Sequence, residues 1–287
     1  MKPSAPTPQA QAPENLLVIA GWGVFPRLVV EGARAAGVKR VSVLGFKGST
    51  DRATCRAADD CRRIPFGSLD LLRDSIRASG CRHAVLAGQI NPLALFRARM
   101  DRNLLDEIAA LKACNAHTLF RRLVEDIEAQ GAAVLPSSLF MGRHIPAPGS
   151  LAARAPDARE AADLAYAHTV AMGVSNLDIG QSVVVKDGVV LAVEGFDGTN
   201  ATLRRGGRLA RGAVAAKVAK EGHDMRFDIP VVGTKTIALM RRVGITALGV
   251  QARRTLVLDL PDVVKAADRA GIALVAFDTS LPPAPVL

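Results

Sequence analysis

The run Leu16-Leu17-Val18-Ile19-Ala20 is the strongest single constraint on the fold. It is continuously apolar, short, and closed by Gly21-Trp22-Gly23. A strand of this kind has no polar face to offer water, so it must be covered on both sides, as in a parallel sheet. The residues that follow agree. Pro26 suits the first turn of a helix, Leu28, Val29, Ala33 and Ala36 keep helical spacing, and Gly37 supplies a stop. Residues 41–44 read as the next strand, 69–78 as a helix, and 83–88 as a third strand ending in a glycine turn. This alternation predicts a doubly wound, Rossmann-like α/β domain.

Residues 101–131 carry helical spacing through Leu104, Leu105, Ile108, Leu111, Leu119, Leu123 and Ile127, interrupted by Cys114-Asn115-Ala116-His117-Thr118. Ala133-Val134-Leu135 is a further strand, and Pro146, Pro148 and Gly149 mark a linker over residues 141–157. A helix is expected from 158 to 172, ended by Gly173. The valine runs on either side of Asp187-Gly188 are a strong hairpin signal. A helix over 234–242, strands over 245–250 and 255–258, a helix over 261–270 and a strand over 272–277 complete a mixed α/β domain. The expected organisation is α/β in two domains: a tail at 1–14, a Rossmann-like domain at 15–140, the linker, and a catalytic domain at 158–287.

A chain of 287 residues can bury a core in each of two domains. Its net charge of +10 favours polyanionic partners. With aromatics at only 4%, the stacking platforms of single-strand binders are scarce, so nucleic acid is set aside. No apolar run is long enough to span a bilayer. The Pro-, Ala- and Gln-rich start lacks the apolar stretch of a signal peptide, which points to the cytoplasm. Cys55, Cys61, Cys81 and Cys114 form no CxxC pair, and reduced thiols are expected. The histidines show no zinc-binding spacing.

The polar stretch from Lys217 to Gly233 concentrates the chemistry. Lys217, Lys220 and Arg226 are cations suited to a phosphoryl group, while Asp224 and Asp228 could orient water or a divalent ion. Asp228 precedes Ile229-Pro230, which biases its backbone to an extended form. On an extended segment Arg226 and Asp228 would share a face. The competing reading is a solvated connection in which the charges merely pair. In the other half, Gly21-x-Gly23 lacks two parts of a dinucleotide fingerprint. Pro26 replaces the third glycine, and Gly45-Phe46-Lys47 ends the second strand without an acid. A phosphate at the helix N-terminus and a tight turn without a ligand both suit these residues.

Several stretches resemble the LpxI-type family of UDP-2,3-diacylglucosamine diphosphatases. They are Leu177-Asp178-Ile179-Gly180-Gln181-Ser182, residues 194–205, Arg226-Phe227-Asp228-Ile229-Pro230, residues 20–26, Ala87-Gly88-Gln89 and Arg253-Arg254-Thr255-Leu256. The resemblance implies a lipid A pathway hydrolase with substrate between two α/β domains. Such an enzyme uses magnesium or another divalent metal to release UMP and 2,3-diacylglucosamine 1-phosphate. Resemblance and loop chemistry together assign Asp228 and Asp224 as catalytic. They place Gly21, Gly23, Gln181, Thr199, Lys217, Lys220 and Arg226 on substrate, and Glu194 and Asp197 on metal. The implied partners are a lipid-linked UDP-sugar and, transiently, the inner membrane surface, with a homodimer possible. The chain departs from the family pattern at Asn115-Ala116-His117, where an Asp-Asp pair is replaced, and at Asn200, where an acid is replaced. Those changes favour the alternative of a non-hydrolysing relative that binds a nucleotide sugar or phospholipid.

Overall fold

The computed structural model describes residues 12–89, 101–104, 116–227 and 229–278. The chain divides into two compact units, residues 1–141 and 142–287.

The first unit is built on strands β1 (Asn15–Ala20), β2 (Arg40–Phe46), β3 (Asp60–Ile64), β4 (His83–Ala87) and β5 (Ala133–Val134). They lie in the order β3-β2-β1-β4-β5, all parallel. Helices α1 (Phe25–Ala35), α2 (Arg52–Ala57), α3 (Leu69–Ser79) and α4 (Ala116–Ala129) connect them. The apolar run at 16–20 is buried throughout, and α1 buries Leu28, Val29, Val30 and Ala33. The strand order reverses between β1 and β4, the switch point of a doubly wound sheet.

The elements without a sequence signal are α2 and β3. β3 is an edge strand of Asp60-Cys61-Arg62-Arg63-Ile64 in which only Ile64 is buried, so no apolar period marks it. α2 is announced only by its cap, where the Asp51 carboxylate accepts from the Thr54 N–H at 2.6 Å. A disulfide joins Cys55 of α2 to Cys61 of β3. That corrects the expectation of reduced thiols for this pair. The separation of six residues belongs to no motif, and the fold alone brings the sulfurs together. Cys81 is free and buried.

The second unit holds a mixed sheet in the order β6-β13-β11-β9-β7-β8. Its strands are β6 (Gly149–Ser150), β7 (Ser182–Lys186), β8 (Val189–Val193), β9 (Ala213–Lys217), β11 (Ile245–Gln251) and β13 (Ala273–Phe277). A separate parallel pair joins β10 (Val231–Val232) to β12 (Leu256–Val257). The helices are α5 (Ala158–Asn176), α6 (Thr199–Leu209), α7 (Thr234–Val243) and α8 (Leu260–Ala270). Residues expected as linker are bound into this unit. β6 pairs with β13, the Pro146 carbonyl accepts from Arg253 N–H at 3.1 Å, and His144 Nδ1 accepts from Asp259 N–H at 3.0 Å.

The central strands read as unbroken apolar runs because both faces are covered. Val183, Val185, Val214 and Ala216 pack with Leu164, Ala167 and Ala171 of α5. Val184, Ala213 and Ala215 pack on the other face with Leu203 of α6, Ile237 and Met240 of α7, and Val263 of α8. This is the alternation of a strand expressed in a buried setting. α6 lies so close that a Cβ at Gly206 would stand 2.5 Å from Val184 Cγ1. The predicted hairpin forms between β7 and β8, with φ of 49° at Asp187 and 75° at Gly188. Both turn N–H groups donate to the Asp163 carboxylate at 2.8 Å. The expected stop of α5 at Gly173 is not used. The helix runs on to Asn176, because an exposed glycine in a helix costs only about 1 kcal/mol and tertiary packing outweighs it.

The entry to α5 is fixed by an ion pair. Arg154 Nη1 and Nη2 donate to the Glu160 carboxylate at 2.7 and 3.0 Å, and Arg154 Nε donates to the Gly271 carbonyl at 2.6 Å. Glu160 also closes a capping box with Asp157. Burial alone would raise the Glu160 carboxyl, but hydrogen bonds led by those of Arg154 outweigh it and hold the group at about 2 against an ordinary 4.5. A carboxyl depressed on folding stabilises the fold above its unfolded value and loses that contribution as pH falls through the folded one. Stability is therefore expected to drop between pH 4.5 and about 2. Glu160→Gln should cost about 3 kcal/mol near neutrality, by leaving Arg154 without its partner, and should flatten this acid limb. Urea midpoints measured across pH check both.

Candidate active site

Ser182, the first residue of β7, stands opposite Lys217, the last residue of β9, in antiparallel register. β9 is apolar until that point, and Val218 and Ala219 beyond it are buried again. Lys217 is only 8% exposed, and its ammonium donates to Thr199 Oγ1 at 2.6 Å. Thr199 opens α6, behind Gly198 at φ 77°, and no side chain caps this helix end. The Thr199 hydroxyl lies 3.0 Å from each oxygen of Glu194 and donates to one of them at a time. Ser182 Oγ donates to Thr199 Oγ1 at 3.4 Å. Glu194 is placed by the end of β8, its N–H bonded to the Ser182 carbonyl at 2.8 Å.

These side chains come from β7, β8, α6 and β9, and they converge at one end of the sheet. The charges there are a buried ammonium, the positive end of α6 and a single carboxylate. Such a balance is suited to an anion, and the uncapped first turn of α6 presents backbone N–H groups to it.

The loop on the far side of β7 is packed tightly against this cluster. A Cβ at Gly180 would stand 2.2 Å from the Glu194 carbonyl oxygen, so only glycine fits. The Gln181 carbonyl accepts from Val218 N–H at 2.9 Å. Lys220 Nζ pairs with Asp178 at 2.6 Å, and Asn176 Oδ1 accepts from Glu221 N–H at 3.0 Å. Arg254 Nη2 donates to the Lys220 carbonyl at 2.7 Å. The chain leaving β9 is thus tied on both sides.

Further along, Arg226 grips Asp224. Its Nε donates to both carboxylate oxygens at 3.0 and 3.1 Å, and Nη2 donates at 2.8 Å. These bonds, outweighing burial, hold the Asp224 carboxyl below its usual range. Residues 225–226 form a turn, closed by Phe227 N–H to the Asp224 carbonyl at 3.3 Å. The extended geometry that would have put Arg226 and Asp228 on one face is therefore absent at Arg226, since a local bidentate pair draws the backbone round. Asp228 lies outside the described residues.

Among the predicted site residues, the fold brings Glu194, Thr199 and Lys217 into direct contact, with Gln181 and Lys220 on the adjoining strap. Asp197 is turned away into an ion pair with Arg205, whose Nη2 also donates to the Val193 carbonyl at 2.6 Å. Among the described residues no group of three or more His, Cys, Asp or Glu side chains is placed to hold a metal ion. Glu194 lies on Thr199 and Asp197 on Arg205. Gly21 and Gly23 belong to the first unit. There the Gly21 N–H donates to the Ala87 carbonyl at 2.8 Å, and Trp22 and Gln89 exchange backbone bonds at 2.8 and 2.9 Å. The donors of Gly21 and Trp22 are consumed by the end of β4, while Gly23, at φ 102°, faces open space. The Asn200 substitution falls on an exposed position in the first turn of α6. Asn115 and the side chains of Ala116 and His117 lie outside the described residues.

Sequence reasoning passed over Ser182, Asp178 and Arg205 as site residues. The signal for Ser182 was its place as the one hydroxyl opening a valine strand. Asp178 and Arg205 had none, because their partners Lys220 and Asp197 are set by loop packing.

The C-terminal domain model of LpxI matches residues 147–275, and the N-terminal domain model of LpxI matches residues 15–144. The chain belongs to the LpxI family. It is 30% identical over 278 residues to the UDP-2,3-diacylglucosamine pyrophosphatase LpxI of Caulobacter vibrioides, which covers 92% of this chain and 98% of that one. Ser182, Glu194, Thr199 and Lys217 all fall within the LpxI C-terminal domain.

The Asp224–Arg226 clamp predicts a shaping role for Asp224. Asp224→Asn is expected to raise KM while kcat changes by less than about threefold, since the loss falls on binding rather than on the reacting bond. Steady-state kinetics separate the two, and a hundredfold fall in kcat would return Asp224 to the chemistry.

Proposed function

We propose that this LpxI-family chain hydrolyses the diphosphate bond of UDP-2,3-diacylglucosamine, giving UMP and 2,3-diacylglucosamine 1-phosphate. The observation that carries the reading is the Lys217–Thr199–Glu194 cluster, with Lys217 buried, at the N-terminus of α6, which has no side-chain cap. It lies in the LpxI C-terminal domain of a chain that aligns over 92% of its length with a pyrophosphatase.

Cleavage of a phosphoanhydride needs the phosphoryl oxygens neutralised as charge builds on the leaving phosphate, and a water aligned opposite it. Lys217 and the first-turn N–H groups of α6 supply the first requirement. They are fixed in advance, so little reorganisation accompanies the reaction. Thr199 steers Lys217, because its oxygen accepts from the ammonium while its proton goes to Glu194. A phosphoryl oxygen entering the site competes with Thr199 for that ammonium. Glu194 anchors the arrangement and keeps the buried cation from standing uncompensated. Asp228 is assigned as the group that orients or deprotonates the attacking water, on its family position before Ile229-Pro230.

The test is UMP release from the diacylated substrate, with and without added magnesium. Lys217→Met and Thr199→Val are expected to lower kcat/KM by roughly a hundredfold, the scale for losing a fixed donor to developing charge. Asp228→Asn should lower kcat by roughly a hundredfold or more while product binding persists. Turnover near the parent rate in Lys217→Met would overturn the site. Tight binding of substrate without UMP release would make the chain the non-hydrolysing relative.

A further inference from the structure

The second unit leaves an unusual set of apolar side chains in water beside the site. Phe196 is 77% exposed, Leu177 72% and Ile179 51%. They occupy two loops that touch one another. Residues 177–181 pass within contact of Glu194 at Gly180, and Phe196 follows Glu194 by two positions. Both loops are held rigidly. The first is tied through Lys220 to Asp178 and Glu221 to Asn176, the second through Arg205 to Asp197 and the Val193 carbonyl. Exposed side chains on braced loops are not the by-product of a slack connection.

Glu221, whose N–H is bonded to Asn176, is an exposed acid without an ion pair among the described residues, and the other acids around these tips are partnered. Asp178, Asp197 and Glu194 each have a partner in Lys220, Arg205 or Thr199. α6, which starts just after Phe196, buries Thr202, Leu203, Gly206 and Gly207 and turns Arg204, Arg205 and Arg208 outward. Arg204 and Arg208 are one turn apart, and neither makes an ion pair among the described residues. The whole chain carries +10. An aromatic and aliphatic tip flanked by a basic helix face matches the boundary of an anionic bilayer, where rings and alkyl groups enter the acyl region while guanidinium groups meet phosphates.

We propose that Leu177, Ile179 and Phe196, with Arg204 and Arg208, form a docking surface for an anionic lipid bilayer. The choice of a bilayer rests on the functional reading above, since a diacylated substrate resides in a membrane, and the surface stands beside the cluster that would receive its diphosphate. No helix of the described residues is long and apolar enough to cross a membrane, so this contact is peripheral.

The experiment is co-sedimentation of the full chain with vesicles of phosphatidylcholine and with vesicles enriched in phosphatidylglycerol, at low and high salt. Binding is expected to the anionic vesicles and to weaken with salt. Phe196→Ser should weaken it roughly tenfold, as for one large apolar side chain left in water. Arg204→Glu and Arg208→Glu should each weaken it at least fivefold. Melting temperatures of these variants should match the parent. Failure to bind anionic vesicles, or binding unchanged in a Phe196→Ser and Ile179→Ser double variant, would overturn the proposal. So would a lowered melting temperature in that double variant, which would mean that protein covers the patch. Because sedimentation does not read turnover, loss of UMP release with vesicle binding retained would count against the functional reading and for the docking surface.

Discussion

A lysine only 8% exposed is the constraint around which the second unit is arranged. A charge in that position has to be met by hydrogen-bond acceptors and by an opposite charge, or the fold loses several kcal/mol. Thr199 and Glu194 meet it, and to do so α6 must begin where it does and β8 must end where it does. The same arrangement leaves the N-terminus of α6 without a side-chain cap. A helix end and a lysine directed to one point form a positive site, and Glu194 offsets only part of it. The proposed anion site follows from the way the lysine is accommodated.

That accommodation depends in turn on how closely the neighbouring loops approach. Gly180 lies against the Glu194 carbonyl with no room for a Cβ, and Gly206 does the same for α6 against Val184. Larger residues at either place would push the helix or the strap away by ångströms, while hydrogen bonds of 2.6 to 3.0 Å at Thr199 tolerate tenths. The chain after β9 is likewise held by Lys220, Arg254 and the Asp224–Arg226 clamp. Rigid surroundings hold Lys217, Thr199 and Glu194 in this arrangement without a ligand.

In the first unit the corresponding place, the switch point between β1 and β4, is treated differently. Backbone bonds between Trp22 and Gln89 sew the two strand ends together. A turn that resembles the start of a dinucleotide motif thereby commits its Gly21 and Trp22 N–H groups to the end of β4. Similar glycine spacing in two proteins can produce opposite outcomes, because the decisive partner is a loop distant in sequence.

Much of the architecture was legible from residue order alone. Buried parallel strands betray themselves as short apolar runs, and Asp187-Gly188 between valines demands a turn with positive φ, so sheet, hairpin and the two-part organisation followed from local chemistry. Edge elements did not. β3 alternates nothing because only Ile64 faces the core, and the approach of Cys55 to Cys61 is a product of where α2 and β3 settle. At the site, the residue types were legible but their pairing was not. Lys217, Thr199 and Glu194 could be selected as charged or polar groups in phosphate-suited stretches, whereas the ion pairs of Arg226 with Asp224 and of Asp197 with Arg205 could not be read from residue order. Secondary structure depends on neighbours a few residues away, which the sequence lists in order. The partner of a charged side chain depends on which segments of the chain meet in space, and that is decided only when the sheet closes and the helices dock.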